Sequence, residues 1–266
     1  MKLEEPYILK NYDDVVFVYK PPKWNCTTGQ GYIEVKDKYD NLILDWINKN
    51  VKTDDEIKTI KYDFGLLNRL DLETSGIVMV AKNIKAHKLY RKNINDHIKT
   101  TKIYLCVVNG DIKHEFGIIE LPLYTDPVLR RTVVDKKKGK FSYTEYVKLQ
   151  TLTYQNEIYS LLLVKIKTGR THQIRVHLSA IGHGLVCDKT YEKNAAKLEK
   201  QCSLSKRLFL HAQYYQIEDD VAGYAKIPQD LNNTLNKMKM TEKFIEYSNA
   251  FDILKSKTIT NLFLKK

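Results

Sequence analysis

Arg69 and Asp71 are the residues whose types and spacing most directly suggest chemistry. They lie two apart within NRLDLETSGIVMVAK, residues 68–82, and residues two apart in an extended segment point to the same face. An arginine beside an aspartate keeps the carboxylate ionised, which suits a nucleophile. The alternative is an ion pair that only clamps a surface loop.

The segment that follows Asp71 predicts a rigid support for this pair. Thr74, Ser75 and Gly76 predict a tight turn lined by hydroxyl groups. The apolar run IVMVA comes next and predicts a buried strand. The pair is therefore expected on a loop directly before a strand, which is a common place for a catalytic group.

The composition favours a nucleic acid as the partner. The chain has 266 residues, a formal net charge of +12 and a pI near 9.3. Excess positive charge attracts polyanions, and nucleic acid is the first candidate. The alternative is a lysine-rich codon bias, which would spread the charge without forming a binding face. A hydrophobic content of 43% supports a real core.

The cysteines and the apolar runs indicate the cellular environment. Cys26, Cys106, Cys187 and Cys202 show no CxxC spacing and predict reduced thiols rather than disulfides or a zinc site. No apolar run reaches transmembrane length, and MKLEEPYILK does not resemble a secretory signal. We expect a soluble intracellular protein, cytoplasmic in the simplest case, with an organelle left open.

Hydrophobic periodicity predicts the secondary structure. Strands are expected at residues 15–19, 77–81, 103–108, 142–149 and 158–167, and helices at 84–98, 172–182 and, more loosely, 37–62. Asn83 and Thr171 are expected N-caps, and Gly182 is expected to end the second helix. The basic run 136–140 is expected at an exposed hairpin tip, where it either contacts phosphate or binds nothing.

These motifs together resemble one family. NRLDLETSGIVMVAK closely resembles the H-R-L-D-x-x-T-S-G-hydrophobic-A-K signature of the RluA-type pseudouridine synthases. TKIYLCVVNG, TGRTHQIRVHLSAIGHGLVCDKTY and RLFLHAQYYQI resemble later motifs of that family, in the same order. The resemblance covers about residues 7–230. This chain departs from the pattern with Asn68 for His, Lys23 for Gly, Gly184 for Pro and Cys187 for Gly.

The resemblance implies a role for each matching residue. Asp71 would be the nucleophile, Arg175 its basic partner, and Tyr104 the tyrosine against the target base. The expected substrate-binding residues are Arg69, which fills the space left by a flipped base; Ile174, which packs on the uracil; Arg170, at a helix start; and Lys20. Lys20 is also open to a support role or to being a solvated strand end.

The histidines are not expected to act in catalysis. His172 and His177 are five apart, so they do not form an i, i+4 zinc pair, and we interpret them as structural or RNA-facing. His211 is expected to make structural hydrogen bonds, and His87 and His97 to lie on the surface.

The resemblance implies an α+β fold with a mixed, largely antiparallel bent sheet and flanking helices around a central catalytic cleft. A catalytic domain is expected over residues 1–230, with residues 231–266 as a C-terminal extension of one or two helices packed on it, and no S4 domain.

The implied function is isomerisation of uridine to pseudouridine in ribosomal or transfer RNA, by a monomer that needs no cofactor, metal or membrane. One alternative is an inactive RNA-binding or ribosome-assembly factor on the same fold. Another is a basic hydrolase using Asp71 and a histidine, which the lack of a serine or cysteine nucleophile motif disfavours.

Overall fold

The computed structural model describes residues 3–26, 40–96, 100–129 and 131–239. The chain divides into two compact units. The first contains residues up to 102 together with 211–225, and the second contains 103–210 together with the chain from 226 onward. The expected boundary at residue 230 stays a prediction.

The first unit is built on a mixed sheet. Its strands are β1 Tyr7–Asn11, β2 Val15–Lys20, β3 Ser75–Ala81, β10 Leu210–Gln216 and β11 Ala222–Tyr224. β1, β2 and β3 pair antiparallel in that order, β3 pairs parallel with β10, and β11 is antiparallel to β10. Every residue of β2 and β3 is buried. The apolar run IVMVA predicts this for β3, whereas the burial of Lys20 at the end of β2 was not expected.

Helices of the first unit pack beside this sheet. Helix α1, Ile43–Asn50, is followed by two short 3₁₀-helices, Asp55–Lys58 and Ile60–Gly65. The expected helix over 37–62 is therefore wrong in extent for the described residues from 40 onward. Helix α2, Ile84–Asn95, begins at Asn83, whose side chain accepts from the backbone N–H of Ala86 at 2.8 Å, as predicted.

His87 does not lie on the surface. Its side chain is buried on α2. Burial, reinforced by the charge of Arg91, lowers the pKa of His87 to about 4. The sequence prediction failed because His87 follows Ala86 on the apolar side of the helix. His97 lies outside the described residues.

The second unit is built on an antiparallel sheet. Its strands are β4 Thr101–Asn109, β5 Phe116–Ile119, β8 Thr144–Tyr154 and β9 Glu157–Ile166, in the order β4-β9-β8-β5. β6 Leu123–Asp126 and β7 Arg131–Val134 form a separate antiparallel hairpin. The strands at 142–149 and 158–167 are thus confirmed, and the mixed, largely antiparallel α+β prediction holds.

The basic run is not at the tip of the hairpin. Residues 136–138 form an exposed turn after β7, beyond the connection between the two strands. Asp135 fixes this turn because its Oδ1 accepts from the backbone N–H groups of Lys137 and Lys138 at 2.8 and 2.9 Å. The three lysines are therefore displayed on an ordered backbone.

Helices of the second unit are α3 Gln173–Ala180, α4 Ala195–Ser205 and α5 Gln229–Lys237. The N-cap of α3 is His172, at φ +54°, so the expected cap at Thr171 is wrong by one residue. Gly182, at φ +89°, follows the end of α3 as predicted, in a conformation that glycine adopts without strain. Helix α4 was not foreseen, and residues 240–266 of the expected tail lie outside the described part of the chain.

The cysteine prediction is wrong for one pair. Cys187 and Cys202 form a disulfide across a sequence separation of 15, whereas Cys26 and Cys106 are free and buried. Spacing in the sequence gave no sign of the bond, because the turn after Cys187 and helix α4 bring the two Cα atoms to 4.8 Å. Among the described residues, no helix combines the length and apolar character needed to cross a bilayer.

Candidate active site

Asp71 lies in a short turn at the start of β3. The backbone N–H of Thr74 donates to the carbonyl of Asp71 at 3.1 Å and closes the turn. Ser75 and Gly76 already belong to the strand, so the expected Thr74–Gly76 turn lies about two residues earlier than predicted. Asp71 is half-buried and Arg69 is exposed.

The backbone on both sides of Asp71 is fixed by the segment that follows β2. The N–H of Leu70 donates to Sγ of buried Cys26 at 3.3 Å. The carbonyl of Leu72 accepts from the N–H of Lys23 at 2.8 Å and from Nζ of Lys20 at 3.4 Å. These bonds hold the residue before Asp71 and the residue after it, so they restrict the direction of the Asp71 side chain.

Lys20 is a fully buried support for this loop, with a relative exposure of 0%. Besides Leu72, its ammonium group donates to the carbonyls of Pro21 at 2.8 Å and Trp24 at 3.0 Å. Three carbonyl oxygens thus replace water around the charge, which an ammonium needs when it is buried. The solvated strand end is therefore wrong, and this burial does not fit direct contact with RNA.

The side chain of Asn68, which stands where the family pattern has His, bonds to the backbone of β3. Its Nδ2 donates to the carbonyl of Ile77 at 3.1 Å, and its Oδ1 accepts from the N–H of Met79 at 2.8 Å. The amide therefore bonds to β3 as a neighbouring strand would. The carbonyl of Met79 in turn accepts from the N–H of Leu67 at 2.8 Å. The segment leading into the Asp71 turn is thus fixed to β3, the strand that leaves it.

His211 is structural, as predicted. It is fully buried on β10, and Nε2 lies 3.1 Å from the carbonyl of Ala225, which can only accept. In the neutral ring Nε2 therefore carries the proton, and the Ser75 hydroxyl donates to Nδ1 at 3.0 Å. This bond ties the first residue of β3 to a strand more than a hundred residues away in sequence.

In the second unit, Tyr104 and Ile174 are both buried. Tyr104 lies in β4, where it pairs with Val164 of β9, and its side chain is 8% exposed. Ile174 lies in the first turn of α3. The expected contacts of these two side chains with a base stay predictions.

Arg170 lies just before α3 and is exposed. Its Nε donates to the carbonyl of Phe141 at 3.2 Å, and its backbone N–H donates to Oε1 of Gln173 at 3.0 Å. Gln173 is buried and also accepts from the Thr168 hydroxyl at 2.8 Å. Gln173 therefore shapes the turn that presents Arg170, a role that sequence reasoning did not assign.

His172 and His177 both have structural partners. Nδ1 of His172 lies 2.9 Å from the Tyr191 hydroxyl. His177 is fully buried between the Thr144 hydroxyl and the Leu121 carbonyl, each at 2.9 Å. Burial lowers the pKa of His177, which favours the neutral ring. The structural alternative is therefore the correct one for His177.

Arg175 is buried on α3 and bonded to a carboxylate that sequence reasoning missed. Its Nε and Nη2 donate to the two carboxylate oxygens of Asp188 at 2.8 and 2.7 Å. Nη2 also donates to the Thr190 hydroxyl at 2.7 Å. The acidic residue of the G-D-x-x-Y motif was the available signal for Asp188. The pairing of Arg175 with Asp71 that the resemblance implies stays a prediction.

Comparison with known proteins identifies the family. A family model described as RNA pseudouridylate synthase matches residues 14–180, more than half of the chain. The chain therefore belongs to the RNA pseudouridylate synthase family, as its RluA-type motifs predict. A solved structure, human RNA pseudouridylate synthase domain containing 1, has the same fold, with a TM-score of 0.64 at 23% identity over 94% of this chain and 97% of that one.

Curated relatives match over part of their length. An uncharacterized RNA pseudouridine synthase of Aquifex aeolicus is 40% identical over 137 residues, 52% of this chain and 42% of that protein. The ribosomal large subunit pseudouridine synthase D of Borreliella burgdorferi is 36% identical over 173 residues, 62% of this chain and 49% of that protein. The chain thus spans about half the length of these relatives.

Proposed function

We propose that this protein isomerises uridine to pseudouridine in RNA, with Asp71 as the nucleophile. The observation that carries the proposal is the Arg69-Leu70-Asp71 motif on a turn whose backbone is bonded on both sides of Asp71, in a chain of the RNA pseudouridylate synthase family. A held carboxylate suits nucleophilic catalysis, because the reacting atoms must be aligned before reaction.

The reaction needs no external reactant. The N1–C1′ bond of uridine breaks, the base rotates, and a C5–C1′ bond forms, while the hydrogen on C5 is lost to solvent and N1 gains a proton. This balance requires no redox group and no second substrate, so we propose no cofactor and no metal. What the protein must supply is an ionised nucleophile, a pocket that retains the free base, and a way to reach the nucleotide.

The remaining roles follow from the matched motif positions. We propose that Arg175 stabilises the ionised form of Asp71 by its charge. Tyr104 and Ile174 would line the base pocket, where stacking on an aromatic ring holds an unpaired base. Arg69 would fill the space left by a flipped nucleotide, which costs a few kcal/mol to extrude. Arg170, exposed before α3, would contact phosphate, and Lys20 would support the Asp71 loop.

The first substrate to test is large-subunit ribosomal RNA. Two relatives, from Borreliella burgdorferi and Haemophilus influenzae, are named ribosomal large subunit pseudouridine synthase D. Transfer RNA is the second. We propose a monomeric protein that acts on RNA in the cytoplasm, with +12 net charge assisting its encounter with the polyanion.

The test is tritium release from RNA labelled with tritium at uridine C5. We expect release by the wild-type protein and a loss of at least about 10³-fold in Asp71→Asn, because the amide is not a nucleophile. RNA affinity should stay within about threefold, since the amide keeps the shape of the side chain. Glu73→Gln removes a carboxylate from the same turn and should retain release.

The alternative is an inactive RNA-binding factor. It predicts no release by the wild type from ribosomal or transfer RNA, together with tight binding that Asp71→Asn leaves unchanged. Release that persists in Asp71→Asn would instead contradict the assignment of the nucleophile.

A further inference from the structure

The guanidinium group of Arg175 is held in one orientation by the segment after α3. Arg175 has 7% relative exposure and Asp188 has 1%. The two carboxylate oxygens of Asp188 accept from Nε and Nη2, and the Thr190 hydroxyl accepts from Nη2. The Tyr191 ring lies 5.2 Å from Cζ of Arg175, within cation–π range. Position and plane of the guanidinium are therefore both specified.

The contacts to Asp188 and Thr190 engage Nε and Nη2 of the guanidinium. An arginine side chain has five N–H donors, and a two-point bond through Nε and Nη2 to a carboxylate is the most directional that it forms. Asp188 and Thr190 together account for Nε and the two hydrogens of Nη2. Nη1 takes no part in these three bonds, so Asp188 and Thr190 fix the guanidinium without using it.

Asp188 is also held by contacts other than its bond to Arg175. Its Oδ1 accepts from the backbone N–H of Thr190 at 3.0 Å and of Tyr191 at 3.2 Å. The preceding residue, Cys187, is bonded to Cys202 and donates its N–H to Oε1 of Gln201 at 3.0 Å. The carboxylate is thus held by its own turn, and the residue before Asp188 is held by helix α4.

We infer that Asp188 is a positioning residue for Arg175. This inference rests on the proposed function, because it concerns the arginine that would act on Asp71. Asp188 does not touch the reacting atoms in this scheme; it sets the plane of the guanidinium and balances a buried positive charge. A catalytic charge displaced by an ångström loses much of its effect.

The test is Asp188→Asn, measured by single-turnover tritium release and by RNA binding at the same temperature. The amide keeps the size of the side chain but has one acceptor oxygen, so it cannot hold both Nε and Nη2. We expect the release rate to fall at least about 10-fold while RNA affinity changes less than threefold. The loss should therefore appear in the release rate and not in RNA affinity, whereas general disruption would lower both.

Two variants separate positioning from folding. Thr190→Val removes a single hydroxyl and should lower the rate about two- to fivefold with the fold retained. Glu199→Gln removes an exposed carboxylate from the same disulfide-closed segment and should change nothing. If Asp188→Asn does not fold, Thr190→Val decides the question: a lower release rate at unchanged RNA affinity supports the positioning role, and an unchanged rate overturns it.

The outcomes distinguish the two proposals. Loss of release in Asp71→Asn with an unchanged release rate in folded Asp188→Asn would overturn the positioning role alone. Equal losses of rate and RNA affinity in Asp188→Asn would also overturn it, because they indicate general disruption. Full release by Asp71→Asn would overturn the proposed nucleophile, and the positioning role with it.

Discussion

At the residue scale, the loop around Asp71 is built by side chains that bond to backbone. Lys20 and Asn68 act in this way, the first on three carbonyls and the second on both a carbonyl and an N–H of β3. The motif predicted which residues would lie in this loop. It did not predict the burial of Lys20, because one of the three carbonyls around the ammonium, that of Leu72, is 52 residues away in sequence.

Gly76 is the residue where a small change should do most harm to this loop. It lies in β3 at φ +121°, and an added Cβ would approach the carbonyl oxygen of Ala212 to 2.2 Å. We expect Gly76→Ala to lower the free energy of unfolding by more than about 2 kcal/mol, because both the conformation and the contact are unfavourable. Urea unfolding followed by circular dichroism measures this.

Gly184→Ala is the matched control for Gly76→Ala. Its added Cβ meets no atom within 4 Å, and its φ is not positive. We expect its urea midpoint to stay within experimental error of wild type. Equal losses in the two variants would show that the close approach of β3 and β10 is not what makes glycine necessary at position 76.

At the element scale, strands were easier to predict than helices. Apart from Lys20 and Ser75 at their ends, β2 and β3 consist of buried β-branched, aromatic and other apolar residues and one glycine, so periodicity and propensity agree for them. The stretch 40–65 has a loose apolar face, but two left-handed residues, Asp63 and Phe64, break the last helical segment. Such breaks depend on tertiary contacts, which local sequence does not contain.

The disulfide between Cys187 and Cys202 should stabilise the segment that carries Asp188. Cys187 stands where the family has glycine and has φ +58°, a conformation that costs a non-glycine residue about 1 kcal/mol. Closing a loop of 15 residues stabilises a fold by about 3 kcal/mol. We expect Cys202→Ser to lower the free energy of unfolding by about that amount.

A reductant provides the control for the disulfide. Treatment with a phosphine should lower the urea midpoint of the wild type and leave Cys202→Ser unchanged, because only the wild type has a bond to reduce. A wild type that responds no more than Cys202→Ser would contradict a stabilising bond between these two cysteines.

At the scale of the whole molecule, the net charge of +12 can contact RNA phosphates only through basic side chains that are exposed. The turn fixed by Asp135 exposes three lysines, Lys136, Lys137 and Lys138. Because the backbone of this turn is hydrogen-bonded, we consider it a good candidate for phosphate contact. We expect replacement of the three lysines by alanine to reduce the salt dependence of RNA binding by about 1 to 2 in the slope of log K against log salt.

The control for this variant removes the same charge elsewhere. The polar face of α2 exposes three lysines, Lys85, Lys88 and Lys92, and the sequence predicts that this face is only solvated. Their replacement by alanine should leave the slope unchanged if local contact matters. Equal effects of the two triple variants would indicate that net charge alone governs binding.

The parallel pairing of β3 with β10 also has a consequence for biosynthesis. The hydroxyl of Ser75 bonds to His211, which is made 136 residues later. At a synthesis rate of about 5–20 residues per second, roughly 10 s pass between the synthesis of Ser75 and that of His211. During this time β3, which follows the Asp71 turn, has no β10 to pair with. A nascent chain therefore lacks the bond between Ser75 and His211, and with it the completed support for the Asp71 turn, until β10 has been synthesised.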